Sequence, residues 1–264
     1  MALAVNLTEA RLFYRIRRGL SERTVIVLDK FSLQVSCGRV AAILGVSGCG
    51  KSTLLRVISG VERLQAGTIE VLGGSPRAAL RSGKTAIASS DSALLPWRSA
   101  LSNVRLPLDL LGRQRATSNS LAYKLLSDLK IAALQRSRPG EMSDGQRQRV
   151  RLAQALATEP ELLLLDEPFN NADEGLRDLL TTFVSEYIRK AARRCGVIIT
   201  HSVHEAASIA DEIIIVGGPP LEILHRESIA IPALSRKPND VNDIAAVVRP
   251  YLLRRAPEPV GDAA

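Results

Sequence analysis

The chain has 264 residues, 46% of them apolar and 23% charged, with a formal net charge of +8. That length holds one large domain, or one domain with an inserted subdomain, and no uninterrupted apolar run approaches the roughly 20 residues that span a bilayer. The positive charge is arginine-driven and spread out; it permits attraction to anionic lipid or nucleic acid without choosing between them, and a solvated surface explains it more simply.

The first residues, 1–9, lack the basic-then-apolar order of a signal peptide, so the expected location is the cytoplasm. Residues 5–14 alternate loosely as an edge strand, 15–23 read as a basic turn, and Val25 to Leu28 with Phe31, Leu33 and Val35 suggest two further strands. An apolar run, Val40-Ala41-Ala42-Ile43-Leu44, predicts a buried strand. It leads into Gly45-Val46-Ser47-Gly48-Cys49-Gly50-Lys51-Ser52-Thr53, which fits the phosphate-cradling pattern G-x-x-x-x-G-K-[ST]. Leu54, Leu55, Val57 and Ile58 then predict an amphipathic helix. Glycines let backbone N–H groups turn toward an anion, and the helix N-terminus adds its positive dipole end. Lys51 is placed to reach the β- and γ-phosphates of a nucleoside triphosphate, and Ser52 to offer its hydroxyl to Mg²⁺. Cys49 lies within this loop, where any side chain is expected to serve. With Cys37 and Cys195 it makes three cysteines, too few and too scattered for a disulfide framework or a zinc site.

Residues 67–74 read as a strand closed by a glycine turn, and 85–88 as another short strand. From about 101 to 157 the pattern turns helical: Leu121, Leu125, Leu126 and Leu129 recur at helical spacing, and 145–157 form a second, basic amphipathic helix. Leu162-Leu163-Leu164-Leu165-Asp166 is a short strand, followed by residues 196–200 and 212–216, two buried strands separated by a helix. Strands alternating with helices predict an α/β fold with a mainly parallel sheet covered on both faces, the helices at 101–157 forming an insertion. After about residue 226 a proline-containing linker leads to a helix over 241–253, and the last nine or so residues read as disordered. Asp166 and Glu167 end an apolar strand, as the Mg²⁺-binding acidic strand of P-loop NTPases does. Asp166 is placed to hold the metal and Glu167 to polarise the attacking water. His201 and His204 are three apart, but no third ligand lies near them in sequence, which argues against zinc.

Met142-Ser143-Asp144-Gly145-Gln146-Arg147-Gln148-Arg149 resembles the L-S-G-G-Q-x-Q-R signature of ATP-binding cassette proteins. The rest of residues 5–226 agrees. Pro168-Phe169-Asn170-Asn171-Ala172-Asp173 matches the D-loop, Thr200-His201 the switch histidine with Glu205-Ala206 in the T-H-x-x-x-E-A pattern, and Tyr14 the aromatic that stacks on adenine, with Phe13 a neighbouring candidate. The resemblance implies a cassette at 1–226 with mainly parallel core sheet, antiparallel β edge and a helical insert at about 95–157. A C-terminal linker, helix and tail occupy 227–264. It implies ATP and Mg²⁺ as cofactors: Gly45 to Thr53 around the phosphates, and Ser52 and Asp166 on the metal. Lys51, Glu167 and His201 are the catalytic groups. Ser143, Gly145, Gln146 and Asp173 would contact the nucleotide of a second cassette subunit in a homodimer. Transmembrane permease subunits and, indirectly, a periplasmic or extracellular solute-binding protein are the other implied partners, and nucleic acid is not one. The implied location is peripheral, on the cytoplasmic face of the inner membrane. DNA-repair or translation cassettes usually come in pairs or carry a long coiled coil, and exporter cassettes are usually fused to membrane helices; none of these is present.

Four positions depart from the family pattern. Ser90 stands where the family has a glutamine that touches Mg²⁺ and the membrane partner; serine is a third candidate metal ligand, but it is shorter, so direct contact requires loop movement. Asp144 replaces the first signature glycine, putting a carboxylate where a phosphate of the second site would repel it. Asn170-Asn171 replace small residues. Two expectations follow: a working ATPase with a retuned coupling step, or a degenerate regulatory subunit that binds ATP and hydrolyses it weakly or not at all. Leu94-Leu95-Pro96-Trp97 followed by Ser102-Asn103-Val104 resembles the cassette subunits of nitrate, taurine and aliphatic sulfonate importers. The single tryptophan lies on the loop that in this family meets the permease. A side chain packed inside the helical insert is the other reading of Trp97.

Overall fold

The computed structural model describes residues 2–18, 21–89, 94–169 and 173–253. The chain opens with the long strands β1 (Leu3–Arg18) and β2 (Ser21–Ser36) and continues through β3 (Val40–Gly45), α1 (Lys51–Ser59), β4 (Ala66–Val71), α2 (Pro76–Arg81) and β5 (Thr85–Ala88). Three helices follow, α3 (Ala100–Leu110), α4 (Arg115–Asp128) and α5 (Asp144–Leu156). The last part alternates β6 (Leu162–Asp166), α6 (Glu174–Arg189), β7 (Cys195–Thr200), α7 (Val203–Ile209), β8 (Glu212–Gly217) and β9 (Glu222–Ser228), and ends in α8 (Pro238–Leu253).

Two sheets result. An antiparallel sheet has the order β2-β1-β4, and a six-stranded sheet the order β5-β6-β7-β3-β8-β9, parallel except for β9. β3 and β7 are buried at every position, as their uninterrupted apolar runs require of strands covered on both faces. Alternation divides their side chains between layers. Ile43 and Leu164 join Leu54, Leu55, Leu7 and Leu33 beneath the antiparallel sheet, whereas Leu163 and Leu165 face Val104, Leu126, Leu152 and Phe169. Ala42 and Leu44 pack under α7 and α8 with Ile213, Ile215 and Val248. The helices α3, α4 and α5 pack on one another as the expected insertion. Leu125, Leu126 and Leu129 of the predicted stripe are buried in it.

The N-terminal third departs from expectation. β1 is the central strand of its sheet, pairing with both β2 and β4, and it runs on through the basic residues to Arg18. The two strands expected after it are one. β2 is continuous, but Lys30 has φ +50 opposite a register shift, and such a bulge breaks the period-two pattern that a sequence reading relies on. β9 pairs antiparallel with β8 as far as Ser228, past residue 226 and into the expected linker, and α8 folds back onto α7, β8 and β9, where the His225 ring stacks on Tyr251 at 3.7 Å. The tail expected to be disordered lies outside the described residues. Among the described residues, no helix is long and apolar enough to cross a membrane.

Candidate functional site

Parallel strands present their carboxyl ends on one side, and in open α/β sheets ligands bind there. β6, β7 and β3 are adjacent, so Asp166, Thr200 and Gly45, far apart in sequence, end side by side. Beyond them lies a cleft of about 320 Å³ bordered by Ser47, Gly48, Lys51, Ser52, Thr53 and Glu167. The loop that forms it needs its glycines for stated reasons. A β-carbon at Gly45 would lie 2.4 Å from the Val216 carbonyl oxygen, and Gly50, the N-cap of α1, has φ +112. Cys49 is not a position where any side chain serves. It is fully buried in the core below the loop, its Sγ close to Gly45, so only a small apolar group fits. Lys51 is 6% exposed, and its ammonium crosses the loop to donate to the carbonyls of Gly45 at 2.7 Å and Val46 at 2.8 Å. Ser52 is exposed beside it.

Glu167 follows β6 with φ +50, a conformation a β-carbon disfavours. Its N–H donates to the Ile199 carbonyl at 2.8 Å, and its own carbonyl accepts from Gln148 Nε2 at 2.8 Å. The carboxylate oxygen Oε1 lies 3.5 Å from His201 Nδ1, which joins two groups that the sequence separates by a strand and a helix. A serine hydroxyl and an aspartate carboxylate, Ser52 and Asp166, are hard oxygen donors of the kind Mg²⁺ prefers, with room in an open cleft for the waters it retains. The described residues contain no cluster of three or more His, Cys, Asp or Glu that could hold a metal alone.

The strand end that carries His201 is held from behind. Thr200 is fully buried and its hydroxyl accepts from Ser202 N–H at 3.0 Å while hydrogen-bonding the Glu205 carboxyl. Ser202 caps α7 by accepting from Glu205 N–H at 3.2 Å. Burial, at 3% exposure, raises the Glu205 pKa, against the lowering effects of Thr200, Arg177 and His201. A raised native pKa means that the protonated form is the one the fold prefers. Its contribution to stability is complete below the ordinary carboxylate pKa and is lost as pH rises through the raised one. Glu205→Gln keeps an acceptor for Thr200 and does not ionise. Its melting temperature should therefore gain on that of the parent chain as pH rises from about 5 to about 8. A constant difference across that range, read by thermal unfolding, would contradict the assignment.

Tyr14 shares a strand face with buried Leu12, which directs its ring toward α1. Its hydroxyl donates to Glu62 Oε2 at 3.1 Å and engages Thr53 of the phosphate loop. Phe13 points the other way, with the Arg15 guanidinium 5.8 Å above its ring. Of the two aromatics, Tyr14 is the one beside the cleft.

The signature residues lie elsewhere. Ser143 caps α5 by accepting from Gln146 N–H at 3.3 Å, and Gln146 Oε1 accepts from Ser143 N–H at 2.9 Å. Both Ser143 and Asp144 are exposed, Gly145 is half-buried, and none of them borders the phosphate-loop cleft of the same chain. The Asp144 carboxylate pairs with Arg147 on its own helix, and Arg147 also donates to the carbonyls of Pro139 and Met142. Asp173 caps α6, its Oδ1 accepting from Leu176 N–H at 2.9 Å. Ser90, Asn170 and Asn171 lie outside the described residues.

Two groups escaped the sequence reading. Asn103 is fully buried and holds the loop before α3: it accepts from Leu95 N–H at 2.8 Å and donates to the carbonyls of Leu95, Arg98 and Ser99 at 3.1–3.2 Å. That clamp presents Trp97, which is 69% exposed and so not packed inside the insert. A single asparagine in a helical stretch carries no signal of its own. Gln148 was legible only as one letter of a motif, and nothing local links it to Glu167.

The chain is 35% identical over 200 residues to the taurine import ATP-binding protein TauB of Pseudomonas aeruginosa, covering 76% of this chain and 75% of that protein. It is 37% identical over 222 residues to the aliphatic sulfonates import ATP-binding protein SsuB of Corynebacterium glutamicum, covering 81% and 84%. In fold it is similar to the ATP-binding cassette MJ0796, solved as a dimer in a post-hydrolysis state bound to ADP and phosphate. The TM-score is 0.78 at 24% identity, covering 85% of this chain and 98% of that one. A family model described as ABC transporter matches residues 28–170, and with these relatives it establishes that the chain belongs to the ABC transporter family.

Proposed function

We propose that this chain binds and hydrolyses ATP to power an importer whose cargo is taurine, an aliphatic sulfonate, nitrate or a similar small solute. The observation that carries the reading is the meeting of the Gly45–Thr53 loop, Glu167 and His201 at the carboxyl ends of three adjacent strands. The N–H groups of the loop from Val46 to Thr53 cradle the phosphates, and Lys51 exchanges its two carbonyl partners for phosphate oxygens. Ser52 and Asp166 would hold Mg²⁺, which when bound would neutralise charge on the phosphates. Glu167 accepts the proton of the attacking water, His201 hydrogen-bonds the γ-phosphate, and Tyr14 stacks on the adenine. Ser143, Gly145, Gln146 and Asp173 face the nucleotide of a second copy, so that two chains enclose two ATP molecules.

Asp144 is the one described residue among the departures that favoured a degenerate subunit. Its pairing with Arg147 draws the carboxylate onto its own helix and offsets its charge, which supports a working ATPase instead. Residues 1–226 form the cassette, with the insert at about 95–157, and 227–264 the C-terminal extension. The chain sits peripherally on the cytoplasmic face of the membrane, bound to permease subunits and through them, indirectly, to a solute-binding protein. Trp97 is a rigid, exposed aromatic of the kind that anchors interfaces. Trp97→Ala should weaken co-purification with the permease by about tenfold or more while leaving MgATP turnover of the separate chain unchanged. Steady-state hydrolysis of MgATP by the purified chain, with and without its permease, tests the main reading. Turnover no faster than that of Glu167→Gln under both conditions would sink it.

A further inference from the structure

Glu167 is held by its main chain on two sides. Its N–H is fixed to β7 through the Ile199 carbonyl, and its carbonyl is fixed to α5 through the side-chain amide of Gln148, each at 2.8 Å. Between these bonds the residue adopts φ +50, which a non-glycine residue keeps only where its surroundings impose it. The consequence is directional. The carboxylate borders the cleft beside Lys51 and Ser52 and comes within 3.5 Å of His201. Gln148 is half-buried, so its bond is only partly exposed to competition from water.

We propose that Gln148 is a positioning residue for hydrolysis: its amide holds the Glu167 main chain in the left-handed conformation that aims the carboxylate at the attacking water. The proposal rests on Glu167 acting as the base. It adds a link that the motif does not spell out. Ser143, the N-cap of α5, lies five residues or about 7.5 Å of helix before Gln148, so a displacement of that helix by whatever seats on Ser143 reaches Glu167 through this bond.

Gln148→Met keeps the length of the side chain and removes the donor. Gln148→Glu keeps its shape and sets a carboxylate against the Glu167 carbonyl. With the full chain and MgATP, kcat should fall about tenfold for Gln148→Met and further for Gln148→Glu, with KM for ATP changed by less than about twofold. In the Glu167→Gln background, adding Gln148→Met should leave MgATP-driven dimerisation at the same protein concentration, because the cradle and Ser143 are untouched. If Gln148→Met and Gln148→Glu turn over within about twofold of the parent chain while Glu167→Gln is inactive, the inference is wrong. It is equally wrong if Gln148→Met weakens the dimer as much as it lowers kcat, since the role is then packing of α5. A parent chain that hydrolyses no faster than Glu167→Gln would instead remove the functional reading, and this inference with it.

Discussion

Replacing Glu167 by glutamine should lower ATP turnover by about 10²- to 10⁴-fold, the usual range for loss of a positioned general base, while nucleotide affinity stays within a few-fold of the parent chain. Glutamine has the same length and shape, so the main chain keeps its two anchors, from Gln148 and to Ile199, and its left-handed φ. What disappears is the capacity to take a proton from water. The phosphate loop should keep its form: Lys51 and Ser52 sit on a different strand-to-helix junction, and the Lys51 ammonium is held by the carbonyls of Gly45 and Val46. Binding and chemistry should therefore separate. With MgATP the variant should accumulate as a dimer that size-exclusion chromatography or scattering detects, since the event that releases the pair no longer occurs. Residual turnover within tenfold of the parent chain would mean that another group activates the water. A variant that neither binds ATP nor dimerises would mean that Glu167 is structural.

How much of this was legible beforehand depends on how local each feature is. The phosphate loop was readable because strand, glycines, lysine and helix form one contiguous stretch from Val40 to Ser59, and every physical requirement acts between near neighbours. The core sheet was readable because β3, β6, β7 and β8 are apolar runs that only a doubly covered parallel sheet accommodates. Harder to see was what pairs at the edges. β9 is half-exposed with Glu222, His225, Arg226 and Glu227 along it, so it lacks the apolar run that marks the other strands of its sheet. α6 is amphipathic yet not among the expected elements, and α2 is only six residues long, capped by Ser75. The place of β1 at the centre of its sheet depends on β4, about fifty residues later, and no alternation within β1 encodes that. The side chains that brace these loops, Asn103 and Gln148, act across 4 to 19 residues through hydrogen bonds to main-chain atoms. Such bonds depend on where the target carbonyl ends up, which is settled only after the fold is made.

Replacing Lys51 by alanine should cost ATP binding at least about 100-fold, because the ammonium is the one charged group the phosphate loop itself contributes. The lysine is almost fully buried, and its position over Gly45 and Val46 shows that the loop already keeps a cation at its centre. Exchanging those two carbonyls for two charged phosphate oxygens strengthens each bond, a gain that alanine cannot make. Alanine also leaves both carbonyls to water within the cleft, so the loop survives in an open site and the chain should melt within a few degrees of the parent. Lys51→Arg is the sharper control. It retains the charge, but a planar guanidinium needs more width than an ammonium in a pocket bounded by Gly45, Val46 and the buried Cys49. Arginine should therefore recover little of the lost affinity in calorimetry with MgATP, whereas a contribution from charge alone would let it recover most. Alanine binding ATP within threefold of the parent chain would show that the backbone N–H groups suffice, and the lysine would then belong to the chemistry of transfer and not to recognition.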